Sequence, residues 1–292
     1  MKQRLCIGFW LGLGILTLSG CSRATDEELW PAEGVPLQVA GVNIGSGLVT
    51  TRANTLNKGA IGFFTKVSGT DDQANVCYNF GTPYWKAANP SESILLETGT
   101  TYCAYYPWRA GVAVDKIPMT ALPSEAEQDL SYLIYQAASK GAVNLELKRA
   151  YCRLNLNLTW TTGQASDQVT SISLEKEDMP ATATLNAGTG VVTPVTTTNR
   201  LTQAIDIKGN SVNKTAVFFV CPMNLDAAKV SIVLNGKTLT ASINPNTAIE
   251  SGKWYNINIT LNAQTLTFGN MAEKPNPDGW TNTDITGGDL KP

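Results

Sequence analysis

Few side chains in this sequence can do chemistry. The 292-residue chain carries six cysteines and no histidine. Without an imidazole it lacks the commonest general base and the commonest metal ligand. Ser-His-Asp and Cys-His nucleophile systems are thereby excluded. Zinc would need cysteine and carboxylate alone, and Cys77, Cys103, Cys152 and Cys221 show no C-x-x-C spacing. No D-x-D-x-D-G loop is present for calcium. A glycosidase-like carboxylate pair remains, drawn from Asp71-Asp72 or from Glu175, Glu177 and Asp178. Each set falls at an expected turn, where acids are ordinarily solvated. The residues therefore predict no catalytic site, no cofactor and no metal.

Cys21 has the strongest chemical context. Lys2 and Arg4 precede an apolar run from Leu5 to Leu18, which ends in Leu18-Ser19-Gly20-Cys21. That order is a basic region, a short apolar region and a processing site, so residues 1–20 read as a signal peptide. The run is too short for a membrane span, which needs about 20 apolar residues. Leu-Ser-Gly-Cys resembles the lipobox of bacterial lipoproteins. The resemblance implies a diacylglycerol thioether on Cys21, which becomes the mature N-terminus, and two or more acyl chains there hold a protein stably on a membrane. Residues 21–34, with the acidic run Asp26-Glu27-Glu28, read as a hydrated tether.

The other four cysteines would sit in an export compartment where disulfides persist, and four allow three pairings. Cys77–Cys103 and Cys152–Cys221 would keep each bridge within one half of the chain. Each cysteine nevertheless lies in an apolar run (NVCYNF, TYCAYY, AYCRLNL, FFVCPM). Such settings favour free thiols acting as small buried hydrophobes.

The elements that must position these residues are strands. Short runs rich in β-branched and aromatic residues recur between Gly, Asn, Pro and Asp: PLQVAGVNI, AIGFFTKV, TYCAYYPW, VNLELKRAYCRLNLNLTW, TSISLEKE, KVSIVLNGKTLTASI and KWYNINITLNAQTLTF among them. Leu145 and Leu147, then Leu154, Leu156 and Leu158, alternate with period two, as do Ile257, Ile259 and Leu261. Asn235-Gly236, between alternating flanks, predicts a two-residue hairpin turn of type I′. Helix is scarce, with one turn expected from Ser124 to Gln128. Many short strands with closely spaced turns predict an all-β sandwich architecture. About 270 mature residues exceed the usual single-domain size. The polar stretch near the middle places a boundary around residue 142, giving sandwiches over 35–142 and 143–268 and an extended tail over 269–292. Lys+Arg is 22 against Asp+Glu 24 with no basic run, so nucleic acid is not an expected partner.

Several local patterns then coincide in one order. After the lipobox come Thr51-Arg52-Ala53, Ile61-Gly62-Phe63, Tyr102 to Trp108 (YCAYYPW), Asp129-Leu130-Ser131-Tyr132 and VNLELKRAYCRLNLNL. Gly252-Lys253-Trp254-Tyr255 opens a long strand, and Trp280 stands near the end. Together they resemble the fimbrillin family, the type V pilins and Mfa-like fimbrial lipoproteins of the Bacteroidales, over almost the whole mature chain. Near Tyr151-Cys152 the chain lacks the histidine and alanine of many relatives. The resemblance implies two tandem transthyretin-like Greek-key β-sandwich domains. It also implies export as a lipoprotein to the outer membrane, cleavage by an arginine-specific protease, and polymerisation with other fimbrial subunits by strand exchange, with host proteins or glycans as adhesion partners.

The residues give that implication a concrete form. Leu37 and Val39, then Val42 and Ile44, predict a first strand, followed by the flexible break Gly45-Ser46-Gly47. Arg52 follows in a polar stretch of the kind proteases cut. Cleavage between Arg52 and Ala53 would separate Cys21 and the first strand from the body and leave a groove open to strand addition. The tail is the available donor, with Trp280 and Ile285 as anchors. A lipid-retaining anchor or tip subunit is the alternative within the family. A surface glycan-binding lipoprotein, stacking sugars on Trp85, Trp108, Trp160 and Tyr106, is the alternative outside it.

Overall fold

In a computed structural model of the protein, the structure describes residues 34–45, 55–67, 69–71, 74–122, 130–139, 141–160, 164, 166–209, 212–243, 248–262, 265–268 and 281–284. Cys21, Arg52, Ala53, Trp280 and Ile285 lie outside them, as does the helical turn expected over 124–128. Among the described residues the only helical element is a 3-10 turn at Pro90–Glu92, capped by the Asn89 side chain. The architecture is all-β and sandwich-like, as the strand-rich sequence predicts.

The first half runs β1 (Val35–Pro36), β2 (Gln38–Ile44), β3 (Ala60–Val67), β4 (Thr70–Asp71), β5 (Val76–Asn79), β6 (Lys86–Ala87), β7 (Leu95–Leu96), β8 (Thr100–Tyr106), β9 (Ile117–Thr120), β10 (Ser131–Ala137) and β11 (Ala142–Arg149). Its main sheet has the order β2-β11-β10-β8-β3-β5-β6, with β4 on β3 and a separate β1–β7 pair. The two ends of this sheet approach each other, because Val39 of β2 bridges to Trp85 just before β6. The enclosed core includes Val39, Ile61, Phe63, Tyr78, Tyr102 and Leu145. On the opposite face, Tyr105 lies flat over Gly62 of the neighbouring strand, where an added Cβ would come within 2.1 Å of the ring. That close approach is why glycine interrupts the Ile61-Gly62-Phe63 run.

The second half runs β12 (Cys152–Trp160), β13 (Gln168–Leu185), β14 (Val192–Lys208), β15 (Val212–Val220), β16 (Met223–Asn224), β17 (Lys229–Leu234), β18 (Lys237–Ser242), β19 (Ala248–Ile249), β20 (Lys253–Asn262), β21 (Thr265–Phe268) and β22 (Thr281–Asp284). One sheet is β15-β12-β20-β21 with β22 also on β20, and the other is β14-β13-β17-β18 with β9 on β13. Leu154, Leu156, Leu158, Ile172, Ile232 and Ile257 share the core of these two sheets. On the other face of β12, Asn155 and Asn157 donate to Asn256 and Asn258 at 3.0 Å each, fixing the parallel β12–β20 register. Asn235 and Gly236 take φ of 48° and 76°, the left-handed pair that the β17–β18 turn needs.

Two features depart from the sequence reading. TSISLEKE does not end a strand at Glu177: β13 passes through the left-handed Asp178 (φ 53°) and a register shift, and continues to Leu185. Its far end pairs with β9, so Ile117, Met119, Leu185, Tyr105, Tyr151 and Phe219 build a third core joining the halves. Secondly, β11 pairs with β2 and β10 and puts Val143, Leu145 and Leu147 into the first core. The first sheet therefore runs on to Arg149. A boundary at residue 142 falls at the start of one of its strands, because the polar composition there marks a loop between two strands of one sheet.

Candidate functional site

The first segment, from Gly34 to Gly45, is held along both edges. On one side β2 pairs in parallel with β11, Val39 facing Val143 and Ile44 facing Leu147, and the Gly45 N–H closes the ladder on the Leu147 carbonyl at 2.9 Å. On the other side β1 pairs with β7, and the Leu37 N–H donates to Ile94 at 2.8 Å. Further along, the Trp85 N–H donates to Val39 at 2.9 Å and the Leu56 N–H to Val42 at 2.7 Å. Asn43 ties the two sides together: its Nδ2 donates to Glu146 Oε1 at 2.7 Å, and its Oδ1 accepts from Thr55 Oγ1 at 2.9 Å.

All four apolar residues singled out in this segment, Leu37, Val39, Val42 and Ile44, are buried in the first core. Full burial of such a side chain is worth about 1.5–3 kcal/mol, so together they supply on the order of the net stability of a whole domain, about 5–15 kcal/mol. Behind them sits Tyr78, whose hydroxyl accepts from the Ile94 N–H at 3.1 Å. Burial pushes its pKa up, against the lowering effect of that hydrogen bond, so the phenol stays neutral and the groove behind β2 is uncharged at this point. Sequence reasoning found the strand but not its partners. Parallel pairing with a segment a hundred residues away leaves no local signal, and Thr55, Leu56 and Trp85 reach β2 largely through their backbones.

At the other end of the chain, β22 lies parallel to β20, Lys253 facing Thr281 and Asn256 facing Asp284. It shares the outer edge of β20 with β21, which pairs from Ile259 to Asn262. Part of the tail is thus a strand on the edge of the second half.

Among the described residues the other candidate chemistries do not assemble; of the Asp71-Asp72 pair, Asp72 lies outside them. Trp85 and Trp160 are buried in the first and second cores, while Tyr106 and Trp108 pack half-buried against the first and third. The four aromatics form no exposed row, because Trp85 and Trp160 are buried and Tyr106 and Trp108 are covered in part by packed side chains. Glu175 pairs with Arg200, whereas Glu177 and Asp178 are exposed on the β13 bulge. Burial pushes the Glu175 pKa up. Hydrogen bonds from Ser231 and Arg200, with the charges of Arg200 and Lys229, outweigh burial and hold it below its ordinary value. It is an ion-pair partner, not a proton donor. Among the described residues no group of three acids or cysteines converges as a metal site.

Cys77, Cys103, Cys152 and Cys221 are free thiols. Cys77 and Cys103 lie on β5 and β8, either side of β3. Two strand spacings are about 10 Å, beyond the roughly 7 Å Cα limit for a bridge. Cys152 faces Val220 across β12–β15 and shares its core, while Cys221 belongs to the opposite core. Burial, then Cys221 and Glu250, raises the Cys152 pKa well above its ordinary value, and burial pushes Cys221 up to about 11. Both remain protonated and inert.

A family model described as fimbrillin-like matches residues 50–273, most of the chain. The chain belongs to the fimbrillin-like family. A crystal structure of a proposed cell adhesion protein from Bacteroides ovatus superposes with a TM-score of 0.61 at 17% identity, over 81% of this chain and 95% of that one. A second, from Bacteroides uniformis, gives 0.57 at 18% identity over 80% and 96%. At such identities these similarities establish the shared fold. No protein of curated function matches the sequence. The fimbrillin-like match begins at residue 50, so β1 and β2 precede the matched region.

Proposed function

We propose that this fimbrillin-like chain is a structural subunit of an adhesive surface fimbrium, built from two tandem transthyretin-like sandwiches and assembled by protease-triggered strand exchange. It is exported as a lipoprotein, acylated at Cys21, and displayed on the outer membrane. Cleavage between Arg52 and Ala53 removes the lipid together with β1 and β2. The opened groove takes an extended segment from the tail of another subunit, in which Trp280 and Ile285 are the apolar anchors. Its partners are other fimbrial subunits, the membrane through Cys21, and host proteins or glycans at the adhesive surface.

The observation that carries this reading is the position of β2. It is paired on both edges and buried on one face, yet it belongs to the chain segment just upstream of Arg52. A cut there would leave the Ala142–Leu147 edge and an apolar slot empty, a state that strand addition relieves. Arg52→Ala tests it on the cell surface. The expected subunit keeps its full mass and its lipid and forms no polymer. Unchanged processing with normal polymer would sink the proposal, and acylated Cys21 on every polymerised subunit would make this an anchor.

A further inference from the structure

Two packed units of one chain move against each other by default, and cease to do so where their contact is large and apolar. Here each half enters the other. The first half sends β9 to the far end of β13, where Ile117 faces Leu185 and the Ala121 N–H donates to the Ala181 carbonyl at 2.9 Å. Just beyond, Leu122 and Phe219 of β15 exchange backbone hydrogen bonds at 2.8 and 2.9 Å. Phe64, Tyr105 and Leu130 share the third core with Leu185, Ala187 and Phe219.

The second half returns the contact through the β13–β14 turn, from Asn186 to Val191. The turn is shaped from within: the Asn186 carbonyl accepts from the Gly190 N–H at 2.7 Å, and its side chain accepts from the Thr189 N–H at 3.1 Å. Around it lies the first half. The Ala187 N–H donates to the Val114 carbonyl at 2.8 Å, and the Tyr135 N–H of β10 donates to the Gly188 carbonyl at 3.4 Å. Two tyrosines of β10 rest on the two glycines. An added Cβ would lie 2.6 Å from the Tyr135 ring at Gly188, and 2.8 Å from the Tyr132 ring at Gly190. Gly190 needs glycine for its φ of 79° as well, whereas Gly188 lies outside the left-handed region and is set by the tyrosine alone. The Lys66 ammonium stands 4.6 Å from the Tyr135 ring centroid, a second restraint on that ring. No charged residue occurs from Met179 to Asn199, which lets the end of this hairpin be covered without stranding a charge.

We propose that the β13–β14 turn is a clasp that holds the two halves at one angle and makes the chain a link without a hinge. A hinge needs a few residues free to absorb changes in φ and ψ. The crossing from β11 to β12 has none to spare: the Ala150 N–H donates to Leu130 at 2.8 Å, and the Tyr151 carbonyl accepts from the Gly252 N–H at 2.8 Å. The clasp belongs to the uncut chain and stands apart from strand exchange, so neither idea falls with the other.

Residual dipolar couplings on the full, uncut chain read the angle without a label. Amides of β3 and β8 and those of β12 and β20 are expected to fit a single alignment tensor, and separate tensors in the wild-type protein overturn the proposal. Gly188→Val, which drives a side chain into Tyr135, is expected to make the tensor magnitudes of the two halves differ by about twofold, as for units freed to move. A folded Gly188→Val protein with one unchanged tensor overturns the clasp. Thr189→Val, at the exposed tip of the same turn, is expected to keep one tensor, and a split there overturns the assignment to the glycines. If Gly188→Val fails to fold, Tyr135→Ala decides, because it removes the contact without a clash: split tensors support the clasp, and a single tensor overturns it.

Discussion

The first segment and the tail strand are both short, and both add in parallel to a longer strand, yet they stand in opposite energetic positions. Strand β2 lies between two partners and sends three of its seven side chains into a core. Strand β22 has four residues on the outer edge of β20. One is part of the fold, and the other is attached to it. The proposed strand exchange would draw on that asymmetry: a leaving strand that is missed when it goes, and an arriving one that is easy to release from its own body.

The largest expected effect comes from breaking the first side of this comparison. Val42→Asp would bury a charge in the first core, opposite Leu145. It is expected to cost the uncut protein about 3–5 kcal/mol in urea unfolding, and to cost the cut, polymerised subunit nothing, because residue 42 is gone. Removing residues 279–292 is expected to change the stability of the uncut protein by about 1 kcal/mol or less, as for a peripheral edge element, while polymer formation is lost. An equal loss of stability from both changes would erase the asymmetry. Hydrogen exchange sharpens it further: cutting after Arg52 should release protection on Val143–Leu147 and leave Lys253–Asn256 unchanged, and tail removal should do the reverse. The smallest effect is a control far from both strands. Glu175 has a lowered pKa, so its ion pair stabilises the fold above the ordinary carboxylate value and the contribution fades as pH falls through the folded value. Glu175→Gln should lose less stability than the parent on acidification below about pH 4.5, with polymerisation at neutral pH untouched.

The same asymmetry marks what a sequence can and cannot reveal. Leu37, Val39, Val42 and Ile44 were legible as an inward-facing strand because burial imposes a local pattern. Asn235-Gly236 announced its hairpin because only certain residues tolerate its backbone. Partners were not legible. The parallel pairings of β2 with β11 and of β12 with β20 join segments about a hundred residues apart, and nothing near Val39 names Val143. The third core was hidden for a related reason: Tyr105 and Phe219 sit on faces that alternation marks as outward, and only the reach of β13 to β9 covers them. Aromatic residues misled in the other direction, since Trp85 and Trp160 as sugar platforms and as core fillers look identical in sequence.

Mass spectrometry of the N-terminus of subunits within the assembled polymer tests the central claim most directly. Chains beginning at Ala53, without lipid and without β1 and β2, are the expected result. Polymerised chains that retain acylated Cys21 and the Gln38–Ile44 strand would contradict it.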